Sequence, residues 1–174
     1  ISKLNNQTDY STTISSEMIS TLNKIVNFIG YYMEFYILNM STIIDCVCLG
    51  AAGVGKTSFF LRHKNGEFYK EPPVSTGPYT FKFSTNQGMI TFVIWEKDHQ
   101  PEKVDCSMIF FSVTDTKSYK EAKTLYQEQT TAFGSIPTVL CGNKVDIKHR
   151  KVKPRDITLH RELDIKYLDI SAKS

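Results

Sequence analysis

The 174-residue chain has room for one domain, or for one domain and an appendage. Hydrophobic residues at 41% and charged residues at 22% exclude wholesale disorder and a collagen or coiled-coil rod. A net charge of +3 is too balanced to mark a nucleic-acid binder, and the cysteines Cys46, Cys48, Cys106 and Cys141 sit in apolar runs without metal-ligand spacing. Those cysteines exclude a disulfide scaffold and point to reduced, buried thiols of a cytosolic or nuclear protein.

Residues 1–39 differ from the rest, being rich in Ser, Thr, Asn, Ile and Tyr. Within them Met18, Leu22, Ile25, Ile29, Met33 and Tyr36 recur at helical spacing, which predicts an amphipathic helix over 16–38. Asn27, Glu34 and Asn39 interrupt the apolar stretch, and no basic flank or small-residue cleavage site accompanies it, so neither a membrane anchor nor a signal peptide is expected. Met40 reads as an alternative start, which would make 1–39 upstream sequence; otherwise they extend a domain over 40–174.

The β-branched run from Ile43 to Leu49 predicts a first strand over 42–49. It leads into Gly50, Ala51, Ala52, Gly53, Val54, Gly55, Lys56 and Thr57, a full match to G-x-x-x-x-G-K-[ST], and then into a helix over 56–64 that contains Ser58-Phe-Phe-Leu-Arg-His. Such a loop turns successive backbone N–H groups, and the positive end of the following helix, towards phosphate oxygens. Lys56 would reach the β- and γ-phosphates, and the Thr57 hydroxyl would bind Mg²⁺.

Strands over 79–85 and 89–95 follow, joined by the tight turn Asn86-Gln87-Gly88, then a strand over 106–113 and a helix over 118–132. A strand over 137–142 ends in Asn143, Lys144, Val145 and Asp146. A carboxylate there accepts from guanine's N1–H and exocyclic amine, whereas adenine would leave it poorly paired. The choice falls on GTP and GDP rather than ATP. The basic run Lys148-His-Arg-Lys-Val-Lys-Pro-Arg155 precedes a helix over 155–162. The last strand, 166–170, ends in Ser171, Ala172 and Lys173, whose backbone can meet the base carbonyl. The class expected is α/β, a P-loop NTPase three-layer sandwich around a mostly parallel six-stranded sheet.

The set GAAGVGKT, NKVD and SAK resembles the Ras superfamily of small GTPases. RHKNGEF at 62–68, FSTNQGMITFVIW at 83–95 and VLCGNKVDIKHRKVK at 139–153 resemble the Ran nuclear transport GTPases more than Ras, Rab or Rho members. The resemblance covers roughly 42–174 and leaves 1–39 without a counterpart. It implies that Phe68 stacks on guanine and that Ser75, or its neighbour Thr76, is the first-switch hydroxyl on Mg²⁺. Pro72 and Pro73 stiffen that loop. It also implies docking to importin-type carriers through Lys148, Arg150, Lys151 and Lys153, in the nucleus and cytoplasm, with neither nucleic acid nor membrane as partner.

The departures are informative. Where the family reads W-D-T-A-G-Q-E, this chain reads Trp95-Glu-Lys-Asp-His-Gln-Pro101. Glu96 replaces the aspartate that holds Mg²⁺ through water, His99 replaces a glycine, and Gln100, aligned with the glutamine that orients the attacking water, is constrained by Pro101. Ala52 stands where glycine is usual. Only residues 96–105 separate Trp95 from the next strand, so about ten residues, the second-switch helix included, are expected to be missing. The helix that follows SAK in the family is also absent from this sequence, which predicts incomplete helical cover. A Ran-like guanine-nucleotide binder with impaired hydrolysis is the first expectation. The alternatives are a carrier-binding protein that does not switch, and a gene fragment without independent function.

Overall fold

The computed structural model describes residues 23–25, 27, 42–73, 78–85, 88–97 and 99–173. Six strands form one sheet: β1 (Thr42–Leu49), β2 (Tyr79–Thr85), β3 (Gly88–Glu96), β4 (Cys106–Ser112), β5 (Thr138–Asn143) and β6 (Lys166–Asp169), in spatial order β2-β3-β1-β4-β5-β6. Only β2 runs antiparallel, paired to β3 through Thr85↔Gly88. Gly88 therefore opens β3, while Asn86 and Gln87 lie outside the described residues. Every residue of β4 and β5 is buried, as expected of central parallel strands covered on both faces. Of the hydroxyls this traps, Ser107 and Thr138 face each other across the pair and share a 2.8 Å hydrogen bond, and Ser112 pairs with Thr114 at 2.7 Å.

Among the described residues, two helices carry most of the cover. Helix α1 (Lys56–Asn65) opens and closes on left-handed glycines, Gly55 and Gly66, and buries Phe59 and Phe60 against one sheet face. Helix α2 (Thr116–Phe133) is capped by Asp115, whose carboxylate accepts from the Lys117 and Ser118 amides, and packs Ala122 and Leu125 on the opposite face.

The α1 face has a second contributor. Asn23, Lys24, Ile25 and Asn27 are helical, with Lys24 and Asn27 exposed and Ile25 at 0% exposure inside the cluster that holds Ile44, Met108, Phe110 and Cys141. This is the orientation the apolar stripe predicts; the remainder of the 16–38 helix lies outside the described residues. Among the described residues no helix is long and apolar enough to cross a membrane.

One element departs from expectation. A continuous helix over 155–162 is replaced by a 3₁₀ turn, Pro154–Asp156, and a separate single turn, α3 (Leu159–Glu162). The break falls at β-branched Ile157 and Thr158. Tyr119 on α2 places its hydroxyl to accept from the amides of Thr158 (2.9 Å) and Leu159 (3.1 Å), so the helix restarts there while Ile157 and Leu159 enter the core.

The connection from β3 to β4 has no helix among its described residues, and register explains how so few residues suffice. β4 begins opposite Cys46, which is itself opposite Ile94, so the chain retreats only two residues, about 7 Å, while stepping across two strand spacings. Ile43 of β1 stays 62% exposed.

Candidate functional site

The loop between β1 and α1 lies at the carboxyl ends of the strands, where β1 has β3 on one side and β4 on the other. This reversal of strand order is where open α/β sheets form their ligand crevice. Two glycines make the loop's path possible. At Gly50 (φ +145°) a Cβ would fall 2.5 Å from the Phe110 carbonyl oxygen, and at Gly55 (φ +94°) it would fall 2.5 Å from Asn143 Nδ2. Lys56 Nζ folds back over the loop, donating to the carbonyls of Gly50 (2.6 Å) and Ala51 (3.1 Å). The first amide turned back into α1 is that of Phe59, bonded to Gly55 at 3.0 Å, and the first turn carries no acidic side chain. The amides ahead of it and the positive helix end are thus available to an anion.

Asn143, fully buried, ties three segments together. Its Nδ2 donates to Val54 (2.9 Å) and Gly55 (3.4 Å), and its Oδ1 accepts from the amides of Lys144 (2.8 Å) and Ala172 (3.2 Å). Lys144 holds a left-handed backbone, φ 69°, uncommon for a non-glycine, and its ammonium donates to Gly53 at 2.6 Å. Asp146 is exposed; Ser171 Oγ donates to its Oδ1 at 2.8 Å and accepts from the Lys173 amide at 3.1 Å. The loop, the β5 exit and the β6 exit therefore converge, with one Asp146 oxygen committed to Ser171. Phe68, just beyond α1, is 41% exposed.

On the other side of Lys56, Thr57 Oγ1 donates to Glu96 Oε1 at 3.1 Å. The same oxygen accepts from Tyr79 OH at 3.3 Å. Ser75 and Thr76 lie outside the described residues. Gln100 is half-buried, and its side-chain carbonyl oxygen is buried without a hydrogen-bond partner among the described residues. It belongs to a strap secured by the Lys97–Glu128 ion pair (3.1 Å), by buried Val104, and by a reciprocal pair in which the Asp105 amide donates to the Asp45 carbonyl (2.7 Å) and the Asp45 amide to the Asp105 carboxylate (2.9 Å).

In the basic run, Lys148, Lys151 and Lys153 are exposed, whereas Arg150 is bound bidentately to Asp169 of β6, at 3.0 and 3.2 Å. That hydrogen bonding raises the Arg150 pKa above the ordinary guanidinium value. Burial pushes the thiols of Cys46, Cys48 and Cys141 well above the ordinary range, which keeps them protonated and unsuited to metal or nucleophilic chemistry. The sequence reading missed Tyr79 and Asp169. Strand parity was the available signal for Tyr79: two residues beyond its partner Ile94, Glu96 shares its face. The chain from 45 to 174 matches the family model described as the Ras family.

Proposed function

The chain belongs to the Ras family of small GTPases, and from that premise we propose that it binds GTP and GDP with Mg²⁺, hydrolyses GTP slowly, and serves nucleocytoplasmic transport. The observation that carries the nucleotide reading is the convergence on Asn143, which fixes the phosphate loop and the base-recognition loops as one unit. The amides of 50–58 and the α1 terminus receive the phosphates, with Lys56 as the mobile cation. Asp146 accepts from the two adjacent N–H groups of guanine, the Ser171–Lys173 backbone meets the base carbonyl, and Phe68 covers the ring. Thr57, a first-switch hydroxyl at Ser75 or Thr76, and Glu96 through water form the side that holds Mg²⁺. When bound, the ion neutralises charge building up between the β- and γ-phosphates.

Slow hydrolysis follows from positioning, which does most of the work in phosphoryl transfer. Gln100 sits on a short strap with its amide carbonyl buried, and Pro101 restricts it further. The resemblance of 62–68, 83–95 and 139–153 to Ran supports the transport role and a nuclear and cytoplasmic location. Exposed Lys148, Lys151 and Lys153 suit an acidic, importin-type carrier, while Arg150 is occupied within the domain.

Single-turnover hydrolysis of bound GTP tests the catalytic part. The expected rate is below the intrinsic value of about 10⁻⁴ s⁻¹ associated with a well-placed glutamine, and it should be unchanged in Gln100→Ala. A rate above that value, lost in Gln100→Ala, would show that the strap does position the glutamine. The short strap also favours a second reading, a carrier-binding protein held in one state. For it, carrier affinity would be equal with GDP and GTP and would weaken with salt.

A further inference from the structure

Glu96 is one methylene longer than the aspartate usual at this point, so its carboxylate has an additional torsion to be fixed. The structure supplies the means. Strand alternation puts Ile94 and Glu96 on the α1 face, and the β2–β3 register pairs Tyr79 with Ile94, making Tyr79 and Glu96 diagonal neighbours. Tyr79 is 4% exposed, and its ring centroid lies 5.0 Å from that of Phe60, three residues after Thr57 on α1. The ring is held by packing, so its hydroxyl arrives at Glu96 already oriented. Both the Tyr79 and Thr57 hydroxyls meet Oε1, at 3.3 and 3.1 Å, which leaves Oε2 outside both bonds.

We infer that Tyr79 is a positioning residue that holds the Glu96 carboxylate against Thr57, so that the longer side chain serves the metal side of the nucleotide site. The inference rests on the nucleotide reading proposed above. It assigns to a strand residue outside the phosphate loop and both base loops a share in Mg²⁺ retention. The hydroxyl is the working atom; the ring serves the core.

The test uses the full chain loaded with a fluorescent GDP analogue, following release as free Mg²⁺ is lowered. Tyr79→Phe keeps the ring and removes one hydrogen bond to a charged acceptor. About tenfold more Mg²⁺ should then be needed to retain the nucleotide, the effect expected of one such bond. Release in excess chelator, where no metal is present, should be unchanged. In a Glu96→Ala background the Tyr79→Phe shift should vanish, because the two residues act as one unit. An unshifted Mg²⁺ midpoint, a shift equally present in chelator, or one that persists without Glu96 would each overturn the positioning role. Wild-type protein that retains no guanine nucleotide at any Mg²⁺ concentration would overturn the nucleotide reading itself, and this inference with it.

Discussion

His160 shows how a single residue can report on the packing around β6. Its ring lies 5.4 Å from that of Tyr167, and its Nδ1 is buried without a hydrogen-bond partner among the described residues. Burial, and then the charge of Arg161, lower its pKa below the ordinary value of 6.5. The unfolded chain therefore takes up a proton near pH 6.5 while the folded chain takes it up only at lower pH. In that window the unfolded state binds more protons, so stability is lost as pH falls below about 6.5. Glu162, lowered by hydrogen bonds from Thr158 and Lys123, loses its contribution only below the carboxylate range and does not blur the window. Thermal melting from pH 7 to 5.5 should show a decline that becomes shallower in His160→Gln. Parallel profiles for the two proteins would contradict the assignment. At the same scale, the phosphate loop and the Asn143–Asp146 and Ser171–Lys173 segments were legible because their chemistry is local and their spacing short. Tyr79 was not, since its role depends on a cross-strand pairing.

Elements were legible where periodicity and punctuation agreed. Among the described residues, all six strands and both longer helices were foreseen, because apolar and amphipathic runs were set off by turn residues such as Gly50 and Asn86-Gln87-Gly88. The break at 157–158 was hidden because its cause is a hydroxyl on another helix, Tyr119. The feasibility of the short β3–β4 connection was equally invisible, since it depends on where β4 begins in the register. The turn bearing Ile25 carries the strongest prediction at this level. Ile25 is fully buried on the face that also contains Cys46, Cys48, Cys106 and Cys141. Ile25→Ala should cost about 2–5 kcal/mol, the range for truncating a buried aliphatic side chain, and should make those thiols react faster with a labelling reagent. Lys24→Ala, at an exposed neighbour, should change neither. Melting and thiol reactivity like wild type in Ile25→Ala would show that this turn is no part of the core.

Over the whole molecule, the sheet order and the convergence on Asn143 place the 50–57 loop, Glu96, Asn143–Asp146 and Ser171–Lys173 at, or directly beside, the carboxyl ends of the strands. The region that departs most from the family pattern is the strap over 97–105, beyond β3. Binding and hydrolysis are expected to part company because the phosphate loop and the β5 and β6 exits are bonded to one another, while the side-chain carbonyl of Gln100 is buried in the strap. The basic run belongs to this scale as well, because a carrier would read its exposed lysines together, whereas Arg150 is spent on Asp169. Selection of guanine is assigned to the Asp146 side of the site. Its most direct test is the nucleotide content of the full chain purified in Mg²⁺, extracted and separated by chromatography. GDP or GTP is expected at close to one per chain, falling sharply in Asp146→Ala. Bound adenine nucleotide, or no guanine nucleotide even after incubation with excess GTP, would contradict it.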